Sequence, residues 1–320
     1  MLVLAGDIGA TNTRFRLVET DDELGSSIKE ETYLSGNEGL VILVQQFLGA
    51  EFKPEKACFA VAGFVSENKC KITNLPWDEL DGEKLQNELN ISKITLINDF
   101  VAIGYNIVLG ENESLVTLQE GECIKNTPIA IIGAGTGLGK AFAIPDGNSY
   151  QVFPSEGGHA NFAPYDSLTT KLLEYLQVDG TVDIEKVVSG PGIVSIFKFL
   201  CEQFPNEDAG NFLAQEDIGQ AIATGAEQGN GLCRKTMDIF AEAYGAAAGD
   251  MAVSLLPFGG LYIAGGIAAK NIKLMQSGGF MKGFNNKVRV NPALLAKVPV
   301  HIVSDLEGLT GAVKYASTKM

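Results

Sequence analysis

Along the chain the period of hydrophobic and polar positions changes, and each change marks an element. Residues 2–5 are apolar, 6–13 form a polar, glycine-bearing turn, and 14–18 alternate charged with apolar, which predicts strand, hairpin and strand. The plan recurs downstream: an apolar run at 128–132, a turn at 133–139 and a second run at 140–144. Two such units predict two halves of related architecture. Between them, 56–61 and 93–97 predict strands, and 40–47 and 100–108 predict helices, so strands alternate with helices in an α/β chain. Helical spacing dominates the second half, at 166–176, 193–204, 215–224 and 231–256. The last of these carries a small-residue face at 245–249 that allows close packing. Strands are predicted at 261–264 and 298–303, and a terminal helix at 309–317. No linker or low-complexity tract interrupts the chain, so the boundary is set near Leu109.

Composition narrows the class. Lys and Arg number 24 against 39 Asp and Glu, a formal charge of −15, and an acidic surface repels nucleic-acid phosphates. At 46% hydrophobic the chain can bury a core, and at 320 residues two lobes fit better than one. The five cysteines are widely spaced and form no C-x-x-C pair, which fits a reducing cytoplasm. The apolar N-terminal run is too short for a signal peptide. Residues 251–269 carry no charge but contain Pro257 and four glycines, so they read as helix end, turn and buried strand rather than a membrane span.

Four segments carry candidate chemistry. Gly133, Gly135, Gly137 and Gly139 fall on alternate positions, and a turn without side chains lets backbone N–H groups face a phosphate. Ala134 and Ala141 break the Walker pattern, and Leu138 or Lys140 breaks the dinucleotide fingerprint. A ligand-free hairpin is the bland alternative. The first turn, with Asp7 and Thr11, tilts the pair toward a nucleotide and its metal ion. Asn98 and Asp99 end a buried strand, where open α/β sheets bind ligands. An amide and a carboxylate there suit a neutral polyhydroxyl ligand, or else an Asx cap on the helix that follows. Glu156 and His159 flank Gly157-Gly158 and can both point at one small ligand; a surface histidine and a metal site are the alternatives, the latter with no Cys or second His nearby. At 183–192 a helix end, a solvated Glu185 and a Gly190-Pro191 break are the default. With only His159 and His301, and no G-x-S-x-G, hydrolase chemistry is poorly served.

Taken together and in order, residues 6–14, 73–77, 97–100, 133–139, 155–159 and 189–192 resemble the bacterial-type glucokinases of the hexokinase/actin/Hsp70 ATPase superfamily, over nearly the whole chain. The resemblance implies a two-lobed hexokinase/actin-like ATPase fold with mixed sheets and a cleft between the lobes. The small lobe would take 1–109 and the C-terminal helix 303–320, and the large lobe 110–302. It implies ATP-dependent phosphorylation of D-glucose to glucose 6-phosphate, the first step of glycolysis, with Mg²⁺. Carried over by position, Gly6, Asp7, Ile8, Gly9, Ala10 and Thr11 match the first phosphate loop, with Asp7 near the magnesium through water. Gly133, Gly135, Thr136 and Gly137 match the second loop, and Gly265 and Gly266 the segment bordering adenosine. Asn98, Asp99, Glu156, His159 and Glu185 match the sugar ligands, with Asp99 as general base on the 6-hydroxyl. The family more often has glycine at the position of Ala10. The cysteine-rich zinc motif of the related ROK kinases has no counterpart after His159, which fits the zinc-free group. The resemblance also implies a homodimer. The cysteine usage and the lack of a targeting signal point to the cytoplasm, and the charge and the broken apolar stretch argue against nucleic-acid and membrane partners. A sugar-sensing repressor, an ATP-driven chaperone or filament protein, and a kinase for another hexose are the rivals; the last differs by one hydroxyl contact.

Overall fold

In the computed structural model, which describes residues 1–20, 27–72, 75–110, 115–147, 149–178, 180–303 and 308–320, the chain divides into two units. One comprises Met1–Asn112 with Asp305–Met320, the other Glu113–Ser304. Thr73 and Asn74, which open the 73–77 motif, lie outside the described residues.

The first unit starts with the expected hairpin. Strand β1 (Leu2–Ile8) pairs antiparallel with β2 (Asn12–Glu19), and β3 (Ser27–Leu34) adds an outer strand. Helix α1 (Leu40–Leu48) leads to β4 (Lys56–Val61), a nearly fully buried strand parallel to β1. Three two-residue strands follow, β5 (Val65–Ser66), β6 (Lys69–Cys70) and β7 (Leu80–Asp81), forming a small separate sheet. Helix α2 (Gly82–Leu89) is capped by Asp81, and β8 (Lys93–Asn98) lies parallel to β4. The main sheet therefore runs β3-β2-β1-β4-β8. Helix α3 (Asp99–Val108) starts one residue earlier than expected, because Asn98 rather than Asp99 is its N-cap. Phe15, Phe47 and Phe59 fill the core against Leu4, Leu17 and Ile94.

The second unit repeats the plan. Its strands are β9 (Leu115–Gln119), β10 (Ile129–Ala134), β11 (Leu138–Asp146) and β12 (Ser149–Ser155), the last three joined antiparallel. Four longer helices follow: α4 (Ser167–Leu176), α5 (Gly190–Gln203), α6 (Ile218–Glu227) and α7 (Gly231–Leu255). Helix α5 begins three residues before expectation, since Ser189 caps it and Pro191 suits its first turn. Helix α6 begins three residues late, where Asp217 supplies the cap. Strand β13 (Leu261–Ala264), the short helices α8 (Gly266–Lys270), α9 (Ile272–Gln276), α10 (Gly279–Asn285) and α11 (Pro292–Leu295), and strand β14 (Val300–Val303) complete the unit. The sheet runs β12-β11-β10-β13-β14-β9, with β13 parallel to both β10 and β14. The small-residue face of α7 packs on α10: a Cβ on Gly245 would lie 1.8 Å from the Phe280 carbonyl oxygen. The uncharged stretch is a helix end, a turn and β13, and no described helix is long and apolar enough to cross a membrane.

The last helix, α12 (Gly308–Lys319), belongs to the first unit. It packs on α3 closely enough that a Cβ on Gly311 would sit 1.7 Å from the Ala102 carbonyl oxygen.

Candidate active site

In the first unit, the carboxyl ends of β1, β4 and β8 lie side by side: Ile8 is in register with Val61, and Val61 with Asn98. The turn of residues 9–11 is held from below by Ser35. Its hydroxyl donates to the Gly9 carbonyl at 2.6 Å and meets the Thr13 hydroxyl at 3.0 Å, while its N–H donates to Thr11 O at 2.9 Å. Gly9 N–H closes the turn on Asn12 O at 3.0 Å. Among the described residues, the N–H groups of Ala10 and Thr11 donate to no protein acceptor, and both residues are exposed. Asp7, near the end of β1, lies against the start of α12, with its carboxylate 3.6 Å from where a Gly308 Cβ would be. Gly6 is glycine for packing, since a Cβ there would stand 2.6 Å from the Phe59 ring.

Asn98 uses both ends of its amide within this unit. Its oxygen accepts from Phe100 N–H at 2.9 Å, and its NH₂ donates to the Gly63 carbonyl at 3.1 Å. Asp99 accepts from the same Phe100 N–H at 3.0 Å. Burial first, and the Asp99 charge second, push the neighbouring Cys70 thiol up to about 11. Asn98 is thus the N-cap of α3, and Asp99 occupies the first turn, where the helix N-terminus favours a carboxylate.

In the second unit the remaining motifs converge on the turn of residues 135–137. Gly135 N–H closes it on Gly137 O at 2.8 Å, and Gly190 N–H donates to Gly135 O at 2.8 Å. Leu138 N–H donates to Glu185 Oε2 at 2.8 Å. The expectation of a solvated Glu185 is thus corrected: the side chain is half-buried and braces the turn, and a Cβ on Gly137 would sit 2.6 Å from Oε2. Ser189 caps α5 through Gly192 N–H and donates to the Glu185 carbonyl at 2.7 Å. Gly158 lets the Glu156–His159 loop approach the turn, since a Cβ there would be 2.0 Å from Leu138 O. Gly265 (φ +87°) is pressed against Ala134 from the other side. The Thr136 and Gly137 N–H groups donate to no acceptor among the described residues.

Gly135 and Gly266 differ from these glycines. Neither has a left-handed φ, and no atom lies within 4 Å of where a Cβ would stand. Their lack of a side chain serves no contact inside the protein, which leaves space for a ligand to approach the backbone.

His159 Nδ1–H donates to Asp183 Oδ2 at 3.1 Å, while Nε2 stands 3.9 Å from Glu156 Oε2. The bond to Asp183 holds the imidazole above its ordinary 6.5, against the opposing effect of burial and with help from Glu185 and Glu156. Asp183, the partner of His159, is not among the candidates that the sequence marks. Its position two residues before Glu185 was the available signal. Its other oxygen, Oδ1, is buried without a hydrogen-bond partner among the described residues. The second histidine, His301, is structural: it lies on β14 against the Thr117 hydroxyl, and burial lowers its pKa. Tyr244, also missed, accepts from Ala134 N–H at 3.0 Å and so fixes the end of β10 from within the core.

No group of three or more His, Cys, Asp or Glu able to hold a metal ion occurs among the described residues. A lone carboxylate at Asp7 fits Mg²⁺, which keeps most of its water and takes phosphate oxygens, and it does not fit a protein-caged ion. A cavity of about 440 Å³ between α6, α7 and α9 is lined by Arg234, Asp238, Lys273 and Leu274, and it includes none of the expected site residues.

The glucokinase family model matches residues 4–319. The glucokinase of Nostoc punctiforme is 48% identical, covering 97% of this chain and 97% of that one. Among solved structures, the glucokinase of an Antarctic psychrotroph superposes with a TM-score of 0.82 at 30% identity, over 99% of this chain and 98% of that one. A ROK family glucokinase from Streptomyces griseus, in complex with glucose and AMPPNP, superposes at 0.67 with 19% identity, over 99% and 98% of the two chains. The fold is that of the actin-like ATPases.

Proposed function

The chain belongs to the glucokinase family and is a glucose-phosphorylating kinase; from that premise we propose that it moves the γ-phosphoryl group of ATP to O6 of D-glucose with Asp99 as the base. The observation that carries the nucleotide half is the set of four turn amides with no acceptor among the described residues, Ala10 and Thr11 on one unit and Thr136 and Gly137 on the other. Paired backbone donors without side chains in the way are what phosphate oxygens require. Glucose and AMPPNP in the Streptomyces griseus relative support the same pair of substrates. Gly6 to Thr11 and Gly133 to Gly137 cradle the phosphates in this reading, and Gly265-Gly266 border the adenosine.

The sugar is neutral, so it needs hydroxyl partners and no basic pocket. Asn98 and Asp99 offer such partners in the first unit, and Glu156, His159 and Glu185 offer them in the second. Asp99 orients the 6-hydroxyl and takes its proton as O6 attacks the γ-phosphorus. Phosphoryl transfer asks little covalent chemistry of the protein; positioning and charge neutralisation do most of the work. Asp7 is the residue that would hold a Mg²⁺ ion through water, and the ion would supply neutralisation of phosphate charge. Glycolysis and a homodimer belong to the same reading, and five free thiols support a cytoplasmic location.

The test is ADP release by the purified chain with ATP and Mg²⁺, across D-glucose, D-mannose and D-fructose. ADP formation that depends on D-glucose and yields glucose 6-phosphate is expected. ATP turnover indifferent to sugar would reject the sugar half while leaving the nucleotide half standing.

A further inference from the structure

Lys140 follows the second glycine turn on β11, and its side chain turns into the protein: it is 7% exposed. Lysine is almost never that buried without a partner. Among the described residues its ammonium makes no hydrogen bond and no ion pair. The nearest counter-charge that acts on it is Asp250, and Asp250 is already engaged by Lys287, whose ammonium also donates to Ala246 O at 3.0 Å. Burial holds Lys140 below the ordinary lysine range, and Asp250 offsets this only in part.

The side chain lines a cavity of about 360 Å³, within the range of small-ligand pockets. Asn161, Asp250 and Lys287 give it polar walls, and Phe162 and the alanines of α7 give it apolar ones. No residue of the 133–139 turn except the adjoining strand, and neither Gly265 nor Gly266, lines it, so it is separate from the nucleotide contacts proposed above. Two cations against one carboxylate leave one positive charge over. A buried charge is costly until it is paired, and no side chain among the described residues makes an ion pair with it.

We propose that this cavity binds a small oxyanion, a carboxylate or phosphate on a short carbon body, with Lys140 as its charge partner. The amide of Asn161 supplies a second polar contact, and the apolar wall takes the carbon body. Lys287 is held back by Asp250, so the anion meets one free cation.

Isothermal titration of the whole chain with pyruvate, glycerol 3-phosphate and inorganic phosphate tests this. Pyruvate or glycerol 3-phosphate should bind at one site and tighter than inorganic phosphate, and the stronger of the two says whether carboxylate or phosphate is the head group. K140M keeps the stem and removes the charge, and should weaken that binding about tenfold or more, the loss typical of a charged hydrogen bond. D250N, at an exposed position, should tighten it by releasing Lys287. K140M should melt no lower than the parent chain, since it deletes a desolvated charge; if it does melt lower, the sign of the D250N effect decides. No binding of any of the three anions, equal binding by K140M, or weaker binding by D250N would each overturn the proposal.

Discussion

The two units run one topology and hold their glycine turns in two ways. In each, a hairpin is followed by two parallel strands, giving the orders β3-β2-β1-β4-β8 and β12-β11-β10-β13-β14. Each turn spans three residues and leaves two N–H groups outward. The brace beneath differs. Ser35 holds the first turn with a neutral, fully buried hydroxyl; Glu185 holds the second with a half-buried carboxylate. A neutral brace can be structural only. A carboxylate has a second oxygen to offer, so the second unit can join turn and sugar ligand in one residue. The first unit keeps these apart, with Ser35 beneath the turn and Asp99 two strands away.

Under the proposed function the base lies in the first unit, and each unit carries proposed sugar contacts. Asp99→Asn should therefore have the largest effect of any single change. Losing general-base catalysis costs about 10²–10⁴ in kcat, or about 3–5 kcal/mol at 1.36 kcal/mol per tenfold. Glucose affinity and melting temperature should move far less, because Asn98, not Asp99, caps α3. Glu156→Gln should instead raise KM for glucose with kcat nearly kept. Steady-state kinetics of the two variants separate the units; near-normal kcat in Asp99→Asn would take the base out of the first one.

The neutral brace comes next. Ser35→Ala leaves the Gly9 carbonyl and the buried Thr13 hydroxyl without their partner. Stranding such groups costs about 1–3 kcal/mol. Glu185→Gln keeps an amide oxygen for Leu138 N–H and should leave stability nearly unchanged. Urea denaturation of both would reverse the comparison if Glu185→Gln proved the more damaging.

Much of this was legible in the sequence, and the limits have physical causes. Strands β1, β2, β4, β8, β10, β11, β13 and β14 and both hairpins follow from local pattern, and six short motifs in order carry the family. Local pattern also led the first helix cap astray, because Asn98 and Asp99 both cap well and only the geometry chooses. It left Glu185 in solvent, because a bond to a backbone N–H 47 residues away has no period. Ser35 and Tyr244 leave no mark in the sequence for the same reason: each acts on a partner far along the chain. Asp183 is marked only by its place two residues before Glu185. Strand β3, exposed along most of its length, and β12 lack a clear apolar face, so alternation had nothing to mark.

The glycines give a smaller test of the same contrast. Gly135 has ordinary φ and open space around it, so Gly135→Val should leave melting unchanged while its branched side chain fills the approach to the turn. KM for ATP should rise about tenfold, equivalent to about 1.4 kcal/mol. Gly137→Ala, whose Cβ would meet Glu185 at 2.6 Å, should lower melting as well. Equal behaviour of the two would mean that the open space at Gly135 receives nothing.

Asp183→Asn should give the smallest effect, and its value lies in its pH dependence. The bond to Asp183 is the main reason His159 holds its proton above the ordinary 6.5. A raised folded value stabilises the protein fully below 6.5, and that contribution is lost as the pH rises through the folded value. The amide keeps the shape of Asp183 but removes the charge, so the gap in melting temperature between parent and variant should be widest just below pH 6.5 and should close on the alkaline side. Because His159 is 58% exposed, solvent screens the pair and the gap stays under about 1 kcal/mol. The imidazole resonances should titrate at a lower pH in the variant, which NMR reads directly. If His159 also faces the sugar, KM for glucose in the parent should drift upward over the range in which it loses its proton, and in Asp183→Asn that drift should begin at lower pH. A pH-independent melting gap would show that Asp183 acts through the buried Oδ1 side of its carboxylate, as a structural group, and not through the histidine.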